Sequence, residues 1–155
     1  MKTKDEKTDT TVQEIGLIYK RNTEIKPVKI TCSADIEPIL RPLYDETQQI
    51  DLYEYSFAIY LNAANMVVGV QKISEGGTTS TVVDTKKVMV AALLQNATAL
   101  IFSHNHPSGQ LKPSEQDIKL TKKIKEASSL FDMTFLDHII ISSEAHYSFA
   151  DNGLI

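Results

Sequence analysis

Residues 97–117 read ATALIFSHNHPSGQLKPSEQD and join an apolar run to a turn-rich loop and the start of a helix. The run at 97–103 lacks alternating polar positions, which predicts a central strand of a sheet that is buried on both faces. Pro107 interrupts strand pairing, and the Ser-Gly that follows it turns the chain. Apolar residues on one face predict a helix at 115–128. This stretch therefore predicts mixed α and β structure.

The rest of the chain supplies further short elements around this stretch. Strands are predicted at 28–32, 53–61, 66–73, 78–83, 136–142 and 147–150, with a turn at 62–65. One helix is predicted through residues 36–44, which Pro42 should kink or split. A second helix, at 86–96, is apolar over most of its surface and is expected to be buried on more than one side. The fold class is therefore α+β, with a mixed, mostly antiparallel sheet flanked by helices.

Length and composition indicate a single domain. The 155 residues suffice for one core. Residues 1–11 are predicted to form a disordered tail, residues 12–27 an N-terminal arm and residues 28–155 the domain. The net charge of −4 gives no general attraction to polyanions. No apolar run approaches the roughly 20 residues of a membrane span, and the first residues lack a secretory signal, so we expect a cytoplasmic protein without a membrane partner.

The single cysteine limits which metal ligands are available. Cys32 can form neither an internal disulfide nor a thiolate cluster. Because it falls in a segment with alternating apolar residues, it is predicted to be a buried or half-buried structural thiol. Any metal must therefore be bound by imidazole and carboxylate groups.

His104, His106 and Asp117 are the candidate metal ligands. Alternate residues of an extended chain project to the same face, so His104 and His106 can bind one ion from one side. Two histidines and one carboxylate leave a fourth position open, as in catalytic zinc sites. Two other interpretations remain: Ser114 and Asp117 form a helix capping box, and the histidines are an incidental surface pair. A capping box does not exclude a metal site.

A metal-activated water needs a base, and the sequence offers Glu75 beside Gly76 and Gly77. The alternative is that Glu75 is a solvated turn residue. His138 is predicted to be structural or to support a ligand, and no partner is identified for His146. The lysines near the motif are expected to form a solvated face, or else a basic patch for nucleic acid or an acidic tail: Lys112, Lys119, Lys122, Lys123 and Lys125.

The pattern H-x-H, seven residues, S-x-x-D resembles that of the JAB/MPN (JAMM) metalloprotease-like domains, and H-N-H-P-S-G is similar to the RadC-like branch. The resemblance extends over residues 28–155. It implies a single JAB/MPN-like (cytidine-deaminase-like) domain with zinc bound by His104, His106 and Asp117. It further implies that Ser114 bonds the oxyanion or orients the water, and that an upstream glutamate is the general base, Glu75 first and Glu54 second.

The resemblance implies a zinc-dependent peptidase or isopeptidase that hydrolyses an amide bond in a protein or peptide. The alternative is an accessory protein of DNA repair that binds nucleic acid. The sequence shows no helix-hairpin-helix segment of the kind that often precedes this domain, which removes the usual argument for DNA contact. A non-catalytic scaffold is a third interpretation, which the intact ligands oppose. Exposed strand edges at 53–73 also allow a homodimer.

Overall fold

The computed structural model describes residue 24, residues 26–78 and residues 82–155. A 3-10 turn, Ser33–Asp35, precedes the first of three helices. The helices are α1 (Glu37–Asp45), α2 (Thr85–Leu94) and α3 (Glu115–Ser129). The strands are β1 (Tyr55–Leu61), β2 (Val67–Glu75), β3 (Ala99–Asn105), β4 (Thr134–Ile141) and β5 (His146–Ser148). The predicted tail and most of the predicted arm lie outside the described residues.

The five strands form one mixed sheet in the order β2-β1-β3-β4-β5. Neighbouring strands are antiparallel except β3 and β4, which are parallel and connected through α3. The apolar run predicted as a central strand is β3, and every one of its residues is buried. These findings confirm the α+β class and the mostly antiparallel sheet.

Apolar side chains cover both faces of the sheet. On one face, Leu40 and Tyr44 of α1 pack on Phe57 and Ile101. On the other face, α2 and α3 pack on residues that include Tyr60 and Phe102. Since helices cover β3 on both faces, its C-terminal end and the N-terminus of α3 are held at the same end of the sheet.

The structure differs from the predictions at three elements. Pro42 does not split the first helix, because burial of Leu40 and Tyr44 holds α1 on the core despite the missing backbone donor. A kink at Pro42 stays a prediction. Of the strand predicted at 78–83, residues 79–81 lie outside the described residues, and residues 78, 82 and 83 belong to no strand. Helix α2 is buried on one side only and exposes several apolar residues to solvent, namely Val90, Leu93 and Leu94.

The segment before α1 also differs from its prediction. Only Lys29 pairs, with Met66, where a strand at 28–32 was expected. The Asp35 carboxylate accepts hydrogen bonds from the backbone amides of Thr31 and Cys32, so the chain turns away from the sheet there. Cys32 is therefore exposed, and the prediction of a buried or half-buried thiol is wrong.

No helix in the described part of the chain is long and apolar enough to cross a membrane.

Candidate metal centre

Three donor atoms converge where β3 ends and α3 begins. Nε2 of His104 lies 2.9 Å from Nε2 of His106 and 3.1 Å from Oδ1 of Asp117. Nε2 of His106 lies 3.5 Å from Oδ2 of Asp117. Around one ion with bonds of about 2.05 Å, tetrahedral donors are separated by about 3.3 Å. The three side chains therefore already have the spacing of a tetrahedral site, and the group could hold a metal ion.

A backbone carbonyl orients the imidazole of His106. Nδ1 of His106 lies 2.6 Å from the carbonyl oxygen of Gln110. Because a carbonyl only accepts, Nδ1 carries a proton, which leaves Nε2 as the nitrogen that a metal ion could bind. The loop between β3 and α3 thus sets the ring orientation that metal binding needs.

The carboxylate of Asp117 fits both the capping-box interpretation and the metal-ligand interpretation of the sequence. Its Oδ2 accepts hydrogen bonds of 2.7 Å from the backbone amide and the hydroxyl of Ser114. The Ser114 hydroxyl in turn accepts from the Asp117 amide at 3.1 Å, which completes a capping box. Oδ1 meanwhile faces His104. The helix cap therefore fixes the carboxylate that would bind the metal.

The electrostatics of the site favour an ionised carboxylate among imidazoles. Burial raises the pKa of the Asp117 carboxyl, but hydrogen bonds from His104 and His106 outweigh it and hold this pKa far below its usual range. The hydrogen bond to Asp117 raises the pKa of the His106 imidazole, although burial opposes the increase. Protons and a metal ion would compete for the same histidine lone pairs.

Glu54 lies on the same face of the sheet as His104. Ser56 pairs with His104, and Glu54 precedes Ser56 by two residues. The extended pairing continues to Glu54, whose amide donates to the Gly77 carbonyl at 2.9 Å. Its charge adds to the hydrogen bond that His106 donates to Asp117 in raising the pKa of His106. Glu54 is therefore close enough to the donor group to act on it.

Glu75 lies on the opposite face. It pairs with Tyr55, the residue that follows Glu54, and successive residues of an extended chain point to opposite faces. Its carboxylate lies 2.5 Å from Nζ of Lys72, and its side chain is 59% exposed. The structure brings His104, His106, Asp117 and Ser114 together with Glu54, and it places Glu75 apart from them.

A cleft of about 540 Å³ opens beside the donor group. Its lining is mixed in character, with Glu54 and Asp117 as acidic residues and Lys112 as the basic one. The lining residues are Glu54, Thr78, Val83, His106, Pro107, Ser108, Gln110, Lys112, Ser114, Gln116, Asp117 and Leu120. The cleft leaves the donor group open on the side on which Glu54 lies.

Asn105, between the two histidines, connects the donor group to the segment that carries Glu54. Its Nδ2 donates to the carbonyl oxygens of Ile50 at 2.7 Å and Tyr53 at 2.9 Å. Its Oδ1 accepts from the amide of Tyr55 at 2.6 Å. The amide is fully buried and all these bonds go to the backbone on either side of Glu54. This role of Asn105 was not predicted from the sequence. The one signal for it was the presence of a polar residue in a strand that was predicted to be buried.

The two other histidines have structural surroundings. His138 of β4 lies behind His104, with Nε2 at 2.7 Å from Nδ1 of His104, and burial lowers its pKa well below the usual value. Nδ1 of His138 contacts the hydroxyl of Thr121, a residue that the sequence analysis missed. His146, for which no partner was identified, pairs with Glu37 at 2.9 Å.

The chain is similar to known proteins over most of its length. A model of the RadC-like JAB domain matches residues 30–154. A UPF0758 protein of Flavobacterium johnsoniae is 39% identical over 141 residues, which are 91% of this chain and 60% of the relative. UPF0758 proteins of Salinibacter ruber and Porphyromonas gingivalis are 37% and 39% identical, covering 83% and 66% of this chain and 53% and 45% of the relatives.

The chain thus spans about half the length of these curated relatives. The family match covers the central strand with His104, the following residue His106 and the helix with Asp117. The chain belongs to the RadC-like JAB domain family.

Proposed function

We propose that the chain is a zinc-dependent hydrolase of amide bonds, a peptidase or isopeptidase acting on a protein or peptide. The observation that supports this proposal most strongly is the group of three donors beside a cleft that Glu54 also lines. A structural zinc site is closed by four protein ligands, whereas a catalytic site has three and an open position. Among the described residues, His104, His106 and Asp117 are the group that satisfies the second pattern.

Zinc suits this donor set better than the hard cations do. Two imidazoles and one carboxylate match the ligands of catalytic zinc, whereas magnesium and calcium favour oxygen ligands. A zinc ion bound there would lower the pKa of a water molecule toward neutrality and polarise a substrate carbonyl.

The residues of the chain would carry the proton transfers. Glu54 accepts the proton of the attacking water and delivers it to the amine that leaves when the amide bond breaks. The Ser114 hydroxyl, which now donates to Asp117, rotates to donate to the oxygen that becomes negative during attack. Asn105 holds the backbone around Glu54 so that its carboxylate faces the cleft.

A matched pair of variants tests the proposal. We expect Glu54→Gln to retain zinc and to lose turnover of peptide and isopeptide substrates by about 100-fold or more, the usual effect of removing a general base. Glu75→Gln makes the same change on the opposite face and should leave turnover unchanged. Zinc content and turnover are measured for both variants and the wild-type protein.

Three results would contradict this account. Full turnover in Glu54→Gln would exclude Glu54 as the base, and lost turnover in Glu75→Gln would restore the first choice of the sequence analysis. Zinc-loaded wild-type protein that cleaves no amide or isopeptide bond would refute the hydrolase.

A DNA-binding accessory role is a second candidate. Four lysines of α3 are exposed and could contact phosphates: Lys119, Lys122, Lys123 and Lys125. Binding that weakens steeply with salt would support this role, and salt-independent or absent binding would refute it. The cytoplasmic location and the homodimer remain predictions.

A further inference from the structure

Behind the metal centre, a chain of hydrogen bonds runs through two buried residues. His138 lies on β4 beside Phe102 of β3 and is stacked on Phe149, with ring centroids 4.5 Å apart. Its Nε2 lies 2.7 Å from Nδ1 of His104, and its Nδ1 lies 2.6 Å from Oγ1 of Thr121. Both His138 and Thr121 are buried. The rings and the hydroxyl therefore form a continuous row.

The direction of the first bond follows from Thr121. Its hydroxyl donates to the backbone carbonyl of Asp117 at 2.7 Å. A carbonyl cannot donate, so two oxygens this close need the hydroxyl proton between them. Having used its single proton there, the hydroxyl accepts from His138, and Nδ1 of His138 must carry a proton.

The direction of the second bond follows from His138. Its ring is fully buried between aromatic side chains, and burial disfavours the charged imidazolium. With the proton on Nδ1, Nε2 has a lone pair that accepts from His104. Nδ1 of His104 then holds the proton of the neutral ring, which leaves its Nε2 free for a metal ion at the point where the donor atoms of Asp117 and His106 converge.

We propose that Thr121 and His138 are positioning residues that fix the tautomer and the orientation of His104 as a metal ligand. The inference rests on the proposed metal site and adds two residues to it. A backbone carbonyl fixes the tautomer and orientation of His106, whereas the neutral imidazole of His138 fixes those of His104. The row of hydrogen bonds starts at the backbone carbonyl of Asp117 in α3 and passes through His138 in β4. The residue that supplies one proposed metal ligand therefore also sets the proton position on another, His104.

Two substitutions of Thr121 distinguish hydrogen bonding from packing. Thr121→Val removes the hydroxyl and keeps the shape, while Thr121→Ser keeps the hydroxyl and removes a methyl group. We expect zinc affinity, measured by competition with a chelator, to fall about 10- to 100-fold in Thr121→Val. This is the usual loss when a residue that hydrogen-bonds to a metal-binding side chain is removed. Thr121→Ser should bind zinc as the wild-type protein does. Equal affinities, or a greater loss in Thr121→Ser, would overturn the inference.

A second measurement reads the tautomers without metal. Nitrogen-15 NMR of the metal-free wild-type protein should show His138 protonated at Nδ1 only, and Thr121→Val should lose this preference. Protonation of His138 at Nε2 in the wild-type protein would overturn the inference even where zinc binds. Failure of the wild-type protein to bind zinc would refute the proposed metal site, and with it the role of the row, whatever the tautomer.

Discussion

At the scale of residues, Asn105 links the proposed metal ligands to the proposed base. It is one of the few side-chain amides that the described core buries completely, and both ends of the amide are bonded to backbone. The same residue separates the two histidines, so the strand that positions the donors also positions the segment with Glu54. A change at Asn105 should therefore affect stability and catalysis together.

We expect Asn105→Asp to destabilise the protein. A carboxylate there can still accept from Tyr55 but cannot donate, which leaves the carbonyls of Ile50 and Tyr53 unsatisfied. Each unsatisfied buried group costs about 1–3 kcal/mol of unfolding free energy, measured by denaturant titration. Asn152→Asp makes the same change at an exposed residue and should cost less. Equal costs would show that the Asn105 bonds do not stabilise the fold.

The three donors could be predicted because the relevant information is local. The spacing of His104 and His106 on a strand, and of Ser114 and Asp117 at a helix start, is visible in the sequence. The choice between Glu54 and Glu75 depends instead on how β1 pairs with β2 and β3, and a one-residue difference changes the face. Such a register is set by distant parts of the chain, and the sequence alone did not reveal it.

At the scale of elements, the N-terminus of α3 combines a stabilising cap with a proposed metal ligand. Ser114 and Asp117 bond each other reciprocally, and Oδ1 of Asp117 remains directed at His104. The negative carboxylate also suits the positive end of the helix. The cap was predicted from S-x-x-D alone, because a capping box depends only on neighbouring residues.

We expect Ser114→Ala to lower the unfolding free energy by about 1 kcal/mol, the usual cost of losing a helix cap. Zinc should still bind, because the Ser114 backbone amide continues to hold Asp117 at 2.7 Å. Ser129→Ala, at the other end of α3, is the matched control and should change stability by less than about 0.5 kcal/mol. Complete loss of zinc in Ser114→Ala, measured by metal analysis, would show that the backbone bond is insufficient.

At the scale of the whole molecule, the sheet order explains what could be predicted and what could not. The buried character of β3 follows from its apolar run, and the hairpin of β1 and β2 follows from alternation around a turn. The segment at 78–83 has the composition of a strand, yet its described residues 78, 82 and 83 belong to none, although β2 has a neighbour on one side only. Composition reports the tendency to form a strand, whereas the partner depends on the complete topology.

The most direct test of the metal centre is the crystal structure of zinc-loaded protein, with anomalous scattering recorded at the zinc absorption edge. We predict one anomalous peak per chain, about 2.0–2.2 Å from Nε2 of His104, Nε2 of His106 and a carboxylate oxygen of Asp117. The same crystals should show Glu54 facing the remaining position of the ion. A fully zinc-loaded crystal with no peak among these three side chains, or with its peak elsewhere, would contradict the central claim.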